Sequence, residues 1–281
     1  MQRRKFLMLG TTVGLSSLTG CAESATQQTT TTDPTTTSAP DSELRIEFSG
    51  LQTGFMELLE DAYEITSNPD TQYLFLDVTV TSGPRPPISE FTFAFDGETY
   101  TPKTEWEHPP LHRGEESSRT YPDTTGQERY QSDGETDGWL AFQLAEEGDA
   151  SDATLSWPGG EWTPDESVRT RLANPVPSFT IEEWSVPETV SPDTDPEFGF
   201  TVRNEGSHVG QFWGAINGDG FTTDRLVTLV SQRISPGESK SWVVTGRTYQ
   251  MGTADHQVEN VNYSLLWSGE NRSQSADVEY E

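Results

Sequence analysis

Short runs in which apolar and polar side chains alternate constrain the fold of this sequence more than any other feature. The clearest run covers residues 73–81 and places four aliphatic side chains on one face of an extended chain, at Leu74, Leu76, Val78 and Val80. A period of two is typical of a β-strand with one buried face. Because Gly, Pro, Asn and Asp separate many such runs, the sequence predicts an all-β protein with antiparallel sheets.

The first group of alternating runs occupies residues 43–160. Besides residues 73–81, the runs cover residues 44–48, 91–95, 98–100, 139–144 and 153–157. Asp96-Gly97 predicts a tight hairpin, since Gly tolerates a positive φ. Residues 55–65 fit either a helix or a strand, and we favour a strand. A long polar insertion, residues 103–137, interrupts the pattern, and the whole group predicts a β-sandwich.

A short connector, residues 161–177, follows the first group. Thr163 is the predicted N-cap of a helix, and Glu166 would complete a capping box with it. Val168 and Leu172 are four residues apart and give this helix one apolar face. We therefore expect the helix to pack on one of the domains.

The second group of alternating runs occupies residues 178–281. The runs cover residues 179–186, 197–204, 211–217, 225–234, 239–248, 258–267 and 276–280. Turn signals separate them, among them Asn217-Gly218-Asp219-Gly220. Seven short strands in about 100 residues predict an immunoglobulin-like sandwich.

The first 21 residues predict export and lipid attachment. Arg3 and Arg4 precede an apolar stretch, residues 6–18, that is too short to span a bilayer. The paired arginines resemble the twin-arginine export signal, and residues 18–21 resemble the lipobox of prokaryotic lipoproteins. Cys21 is the only cysteine in 281 residues, so no intramolecular disulfide can form. An uncleaved anchor with an incidental cysteine is the alternative.

Residues 22–42 are almost entirely Thr, Ser, Gln, Ala, Pro and Asp, and they predict a disordered, Thr-rich linker. A flexible coil of this length reaches roughly 25 Å on average. The clustered threonines suit O-glycosylation or a bare spacer. The predicted protein thus has a signal (1–21), a linker (22–42), a first sandwich (43–160), a connector (161–177) and a second sandwich (178–281).

The chain is strongly acidic. Lys and Arg total 17, whereas Asp and Glu total 46, so the formal net charge is −29. The signal holds three of the cations and no acid, so the mature chain carries 14 cations and a formal charge of −32. This excess, with lysine largely replaced by arginine, resembles halophilic proteins. An ordinary acidic protein is the alternative, and in either case no basic stripe exists to bind nucleic acid.

Two sequence patterns resemble known families. The run at residues 73–80, the Asp96-Gly97 hairpin and residues 138–142 resemble the immunoglobulin-like (telokin-like) domains of prokaryotic, and in particular haloarchaeal, surface lipoproteins. In the second domain, residues 198–206 followed by residues 234–239 resemble the cell-adhesion-related bacterial domains called CARDB. Both resemblances imply a surface binding or spacer module without a catalytic residue.

No residue pattern predicts a catalytic, cofactor or metal site. His108 and His112 flank two prolines, which exclude the helical spacing of metal ligands. Residues 217–224 lack the alternating ligands of a calcium loop. We interpret the acidic side chains of residues 146–152 as a solvated surface. His208 and His256 are isolated in sequence, and we interpret both as structural or exposed residues. No serine-hydrolase elbow, phosphate-binding loop, dinucleotide fingerprint or zinc-protease motif occurs.

Two sequons offer candidate glycosylation sites. They begin at Asn262 and Asn271, and the second lies in a predicted hairpin turn that makes it the better acceptor. The other predicted covalent modification is the lipidation of Cys21.

The sequence therefore predicts a non-catalytic protein, lipid-anchored through Cys21 on the outer face of the cytoplasmic membrane. It would bind a cell-surface protein or a glycan, with residues 103–137 as its contact surface, because rigid sandwiches commonly carry function on their loops. Two alternatives stay open. One is a pure spacer or adhesion module, and the other is an accessory solute-binding or enzymatic envelope subunit.

Overall fold

The computed structural model describes residues 41–59, 62–68, 70–107, 110–111, 129–131, 137–191, 194–220, 226–247, 260–267 and 272–280. Within them the chain forms β-strands, one α-helix and a short 3-10 turn, so the predicted all-β class is confirmed. In chain order the elements are β1 (Glu43–Gln52), β2 (Gly54–Leu58), β3 (Tyr63–Ser67), β4 (Thr71–Ser82), β5 (Thr92–Phe95), β6 (Glu98–Tyr100), β7 (Pro110–Leu111), β8 (Asp137–Ala145), β9 (Thr154–Trp157), β10 (Gly160–Trp162), α1 (Glu166–Leu172), β11 (Phe179–Ser185), β12 (Thr189–Val190), β13 (Glu197–Asn204), β14 (Gly210–Asp219), β15 (Leu226–Ile234), β16 (Ser239–Thr245), β17 (Asn260–Trp267) and β18 (Arg272–Tyr280).

Two antiparallel sheets enclose the first core. One has the strand order β1-β4-β8 and the other β10-β9-β5-β6. The alternating side chains of β4 and β8 point into a core that they share with the phenylalanines of β5, among them Leu74, Leu76, Phe93, Phe95 and Phe142. At the predicted hairpin, Asp96 and Gly97 have φ angles of 53° and 72°, as a tight turn between β5 and β6 requires.

Helix α1 packs on this first core through Val168 and Leu172, as the four-residue spacing predicts. The predicted N-cap is wrong, because Asp165 caps the helix and not Thr163. The Asp165 carboxylate accepts a hydrogen bond from the Val168 N–H at 3.0 Å. It also accepts one from the Ser167 hydroxyl, and these bonds lower the pKa of Asp165. A carboxylate at this position satisfies an N–H group that the first helical turn leaves unpaired.

Two further sheets enclose a second core. Their strand orders are β11-β13-β16 and β12-β18-β17-β14-β15, and all pairs are antiparallel except β12 with β18. The core lies between alternating residues of β13 and β17, among them Phe198, Val202, Val261 and Leu265. The turn signal expected at residues 217–220 is wrong in part, because β14 continues as a strand to Asp219.

A fifth sheet, β3-β2-β7, lies between the two sandwiches. One face of its hairpin packs Phe55 on Tyr73 and Trp139 of the first sandwich. The other face packs Met56 and Tyr63 on the second sandwich, where the partners are Trp213, Ala215, Leu226 and Leu229. In the segment 55–65, for which a helix and a strand both fitted, the described residues therefore belong mainly to the antiparallel strands β2 and β3. The described residues from Asp41 onward belong to one compact unit.

Candidate functional site

Both ends of the predicted insertion attach to one strand. β8 is the last strand of its sheet, so its outer edge is available for further pairing. The N–H of Lys103 donates to the carbonyl of Ala141 at 2.8 Å, and the N–H of Tyr130 donates to the carbonyl of Trp139 at 2.9 Å. The segment that enters the insertion and the segment that leaves it are therefore fixed a few residues apart on β8.

Gly138 permits the close approach of the second segment. A Cβ atom at this position would lie 2.6 Å from the Cα and 2.7 Å from the N atom of Tyr130. A contact with backbone at that distance cannot be relieved by a side-chain rotation. Only glycine therefore fits where the chain crosses β8.

A cavity of about 270 Å³ opens between the two segments. Lys103 and Thr104 line it from the entering segment, and Arg129 and Gln131 line it from the leaving segment. Apolar lining comes from the first sandwich and from the turn before β5, through Ile88, Pro102, Trp139, Leu140 and Ala141. The cavity thus combines an apolar lining with a polar and cationic one.

The cations around the cavity are held by aromatic rings and backbone. The Lys103 Nζ lies 5.0 Å from the centre of the Trp106 ring and 5.8 Å from that of Phe55. The Arg129 Nη1 donates to the Thr104 carbonyl at 3.3 Å, which joins the two segments. Such cation–π contacts orient a charged group without neutralising it.

Arg85 forms a third cationic group behind the cavity lining. Its guanidinium carbon lies 4.1 Å from the centre of the Tyr130 ring. Its Nε and Nη1 atoms are buried without a hydrogen-bond partner in the described part of the chain. Within the same residues, none of Arg85, Lys103 and Arg129 forms an ion pair with a carboxylate, whereas Arg203 pairs with Glu205 at 3.4 Å.

Tyr130 links this group to the fold. Its side chain is 1% exposed, and its hydroxyl donates to the Pro86 carbonyl at 2.7 Å. Burial raises the pKa of Tyr130 to about 12, although the Arg85 guanidinium opposes that shift. The phenol is therefore neutral at physiological pH and serves as a hydrogen-bond donor and a ring for Arg85.

An aromatic cluster supports the cavity from the side of the β2–β3 hairpin. Trp106 packs edge-on against Phe55 at 4.7 Å and against Trp139 at 5.9 Å between ring centres. Its indole N–H donates to the Lys103 carbonyl at 3.2 Å. The backbone of Lys103 is thus held by β8 on one side and by Trp106 on the other, which gives the cavity a rigid lining.

Several residues singled out by the sequence lie outside the described residues. They are Cys21, Asn271, His108, His112 and His256, together with residues 1–40. Asn262 is described and lies half-buried within β17, where its side-chain amide donates to the Asp277 carboxylate at 2.8 Å. His208 lies next to Ser207, whose hydroxyl is 2.8 Å from the imidazole Nδ1.

In the acidic segment of residues 146–152, Asp149 has a hydrogen-bond partner close by in sequence. The Asp149 carboxylate accepts hydrogen bonds from Ser151, and these lower the pKa of Asp149. No group of three His, Cys, Asp or Glu side chains in the described ranges is arranged to hold a metal ion. Glu57 is the one carboxylate buried among the residues described, and it accepts from the Thr66 hydroxyl at 2.7 Å.

The α1 helix is short, and no helix in the described part of the chain has the length and apolar character needed to cross a membrane.

Sequence reasoning placed the contact surface on residues 103–137 but did not identify Arg85, Tyr130 or Trp139 as parts of a site. Their separation in sequence hid the cluster, because Arg85 and Trp139 are 54 positions apart. One signal was available. Cations are scarce in this chain, so Arg85, Lys103 and Arg129 around a single insertion stand out from the acidic background.

No protein-family model matches the chain, and no curated protein matches it. Among solved structures, the chain is similar to a mutant beta-glucosidase from Listeria innocua in complex with laminaribiose, at 13% identity and a TM-score of 0.31. It is also similar to the same organism's beta-glucosidase alone and in complex with glucose, each at 13% identity and a TM-score of 0.30. Each match covers 59% of this chain and 21% of the other, so the chain spans about a fifth of the length of these structures.

Proposed function

We propose that this protein is a non-catalytic, exported surface protein that is anchored by a lipid on Cys21 and presents a binding site at the base of residues 103–137. Its two sandwiches act as immunoglobulin-like modules that hold this site away from the membrane. The partner is a component of the cell surface, either a protein or a glycan. Nucleic acid is not a partner of so acidic a chain.

One observation carries the proposal. Lys103 and Arg129 face the same cavity, and neither is paired with a carboxylate in the described residues. In a chain with 46 acids and 17 cations, a surface cation meets a carboxylate easily. Two cations that line one cavity without a carboxylate partner form a local positive site, and such sites recognise groups of opposite charge.

The position of the site also suits a binding role. The two segments that form it are bonded to β8, and Trp106 packs them on the β2–β3 hairpin. Loops held on a rigid scaffold are common places for recognition, because little ordering entropy is lost on binding. A linker of 21 residues behind Cys21 would let this scaffold move by roughly 25 Å from the membrane.

A binding assay on cell envelopes tests the proposal. The labelled, full-length mature protein is added in molar salt to isolated envelopes from the native host. We expect a saturable component of binding that unlabelled protein displaces. The double variant Lys103→Gln/Arg129→Gln should lose that component, because it removes both cations from the cavity.

A matched double variant controls for charge. Arg203→Gln/Lys240→Gln also removes one arginine and one lysine, from the surface strands β13 and β16 of the second sandwich. Lipid insertion is the same in all three proteins, so a difference between the two double variants reports the cavity alone. Equal binding by both variants would contradict the proposed site.

A further inference from the structure

We propose that the cavity between Lys103 and Arg129 binds one sugar-acid residue, a hydroxylated ring that carries a single carboxylate. The inference rests on the proposed function and names the class of ligand that its site accepts. The ligand is a free uronic acid or the terminal unit of a surface glycan.

The charge of the site selects an anion. The guanidinium of Arg129 has five N–H donors. In the described part of the chain its hydrogen bond is the one that Nη1 donates to the Thr104 carbonyl. The ammonium of Lys103 has three donors and lies over aromatic rings without an acceptor among the same residues. A carboxylate between them would accept charge-assisted hydrogen bonds from both groups.

The size of the cavity selects a single ring. Its volume of about 270 Å³ lies just below the usual range of small-molecule pockets, about 300–1,000 Å³. A monosaccharide fits such a space, whereas an oligosaccharide or a folded domain would extend beyond it. Longer glycans would place one terminal residue inside and leave the remainder in solvent.

The rest of the lining selects hydroxyl groups and an apolar ring face. Gln131 and Thr104 offer side-chain donors and acceptors at the rim, and Ile88 with Leu140 supplies aliphatic surface. An α-amino acid would bring an ammonium group next to two cations, and the described residues of the lining contain no carboxylate to receive it. A simple fatty acid would leave the polar rim without partners.

The charge of the whole protein restricts the ligand further. A mature charge of −32 repels polyanions at distances beyond the local site. Within a Debye length, about 3 Å at 1 M salt and about 8–10 Å at 0.1–0.15 M salt, the nearby cations dominate. A ligand with one negative charge is therefore attracted by the cations of the cavity and is repelled only weakly by the net charge of the protein.

Titration calorimetry on the full-length mature protein in mild detergent tests the inference, with glucuronate, glucose and inorganic sulfate as probes at constant salt. We expect glucuronate to bind one site, glucose not to bind, and sulfate to bind at least about tenfold more weakly because it fills no ring site. Lys103→Gln/Arg129→Gln should weaken glucuronate binding at least about tenfold, and Arg203→Gln/Lys240→Gln should leave it unchanged.

Three outcomes would overturn the inference. Glucose could bind as tightly as glucuronate, sulfate could bind equally well, or the cavity variant could bind like the matched control. If envelope binding depends on Lys103 and Arg129 while glucuronate neither binds nor competes, the ligand class is wrong and the surface role stands. If glucuronate binds at the cavity while envelopes do not, the surface role is wrong and the sugar-acid site stands.

Discussion

The side-chain amide of Asn217 forms two hydrogen bonds with the backbone of Tyr63, 154 positions earlier in the chain. Its Nδ2 donates to the Tyr63 carbonyl at 2.9 Å, and its Oδ1 accepts from the Tyr63 N–H at 2.9 Å. An amide matches a backbone peptide group in this way as a neighbouring strand would. The pair joins β14 of the second sandwich to β3 of the intervening hairpin, beside the apolar contact of Met56 and Trp213.

Asn217→Ala should destabilise the junction of the two sandwiches. It removes two hydrogen bonds of about 0.5–1.5 kcal/mol each, so we expect the free energy of unfolding to fall by about 1–3 kcal/mol. Denaturant titration at fixed molar salt measures the loss, and hydrogen exchange should accelerate at the Tyr63 N–H. Asn262→Ala, which removes an exposed amide bond to Asp277, is the control and should cost less than half as much. Equal losses would contradict the role of Asn217.

Gly138→Ala should displace the segment that carries Arg129 and Tyr130. The new methyl group would meet the Tyr130 backbone at 2.6 Å, and overpacking of this kind costs about 1–3 kcal/mol. We expect a lower melting temperature together with loss of binding to the cavity. Gly199→Ala is the control, because its methyl group meets the Ser185 hydroxyl, which can rotate away. Unchanged stability and unchanged binding would show that the segment adapts.

Alkaline pH should destabilise the protein through its buried tyrosines. Burial raises the pKa of Tyr130 to about 12 and also raises those of Tyr73 and Tyr263. A pKa raised in the folded state means that the stabilisation is complete below the unfolded pKa, about 10, and is lost as the pH rises through the folded pKa. The denaturant concentration at the midpoint of unfolding should therefore decrease as the pH rises from about 10 to about 12. Phenolate absorbance of the folded protein should appear late in this range.

Tyr130→Phe separates one contribution to that pH dependence. The variant should lose about 1 kcal/mol at neutral pH, since the Pro86 carbonyl loses its hydrogen bond, and its alkaline decline should be shallower. Tyr100→Phe, at a half-buried position in β6, is the matched substitution that removes one phenol elsewhere in the first sandwich. A Tyr130 variant with the wild-type slope would contradict the assignment.

Molar salt should stabilise the protein strongly. Self-repulsion at a formal net charge of −29 opposes the compact state, and the Debye length falls to about 3 Å at 1 M salt. We expect the melting temperature to rise steeply between low and molar NaCl. An uncharged osmolyte at matched water activity should give a smaller rise. A melting temperature that is flat across the salt range would contradict the halophilic interpretation.

Cys21→Ala should release the protein from the membrane or leave its signal uncleaved. Without the thiol no lipid can be attached, and the linker of residues 22–42 contains no apolar segment to replace it. Fractionation of cells and the mass of the mature protein measure the outcome. A variant that stays with membranes as the wild type does, without a change of lipid mass, would contradict the anchor.

The sequence alone determined the clearest strands. Leu74, Leu76 and Val78 recur at every second position, and this local period already decides which side chains of β4 enter the first core. Asp96-Gly97 likewise determined its hairpin, because the tolerance of a positive φ depends on the residue type more than on its surroundings. The proposed export signal and the proposed lipidation of Cys21 also rest on the sequence alone, because such signals are recognised as short segments without a folded structure.

Only the tertiary structure decided how these strands meet. Asn217 is followed by glycine and reads as a turn, yet it lies in a strand, since its amide satisfies a backbone 154 positions away. Strands β2 and β3 pair because both faces of the pair are covered, one by each sandwich, and no local pattern encodes two remote partners. The cavity arose in the same way. Lys103, Arg129 and Trp139 are separated along the chain, and long-range backbone hydrogen bonds at the edge of β8 bring them together, which no spacing in the sequence reveals.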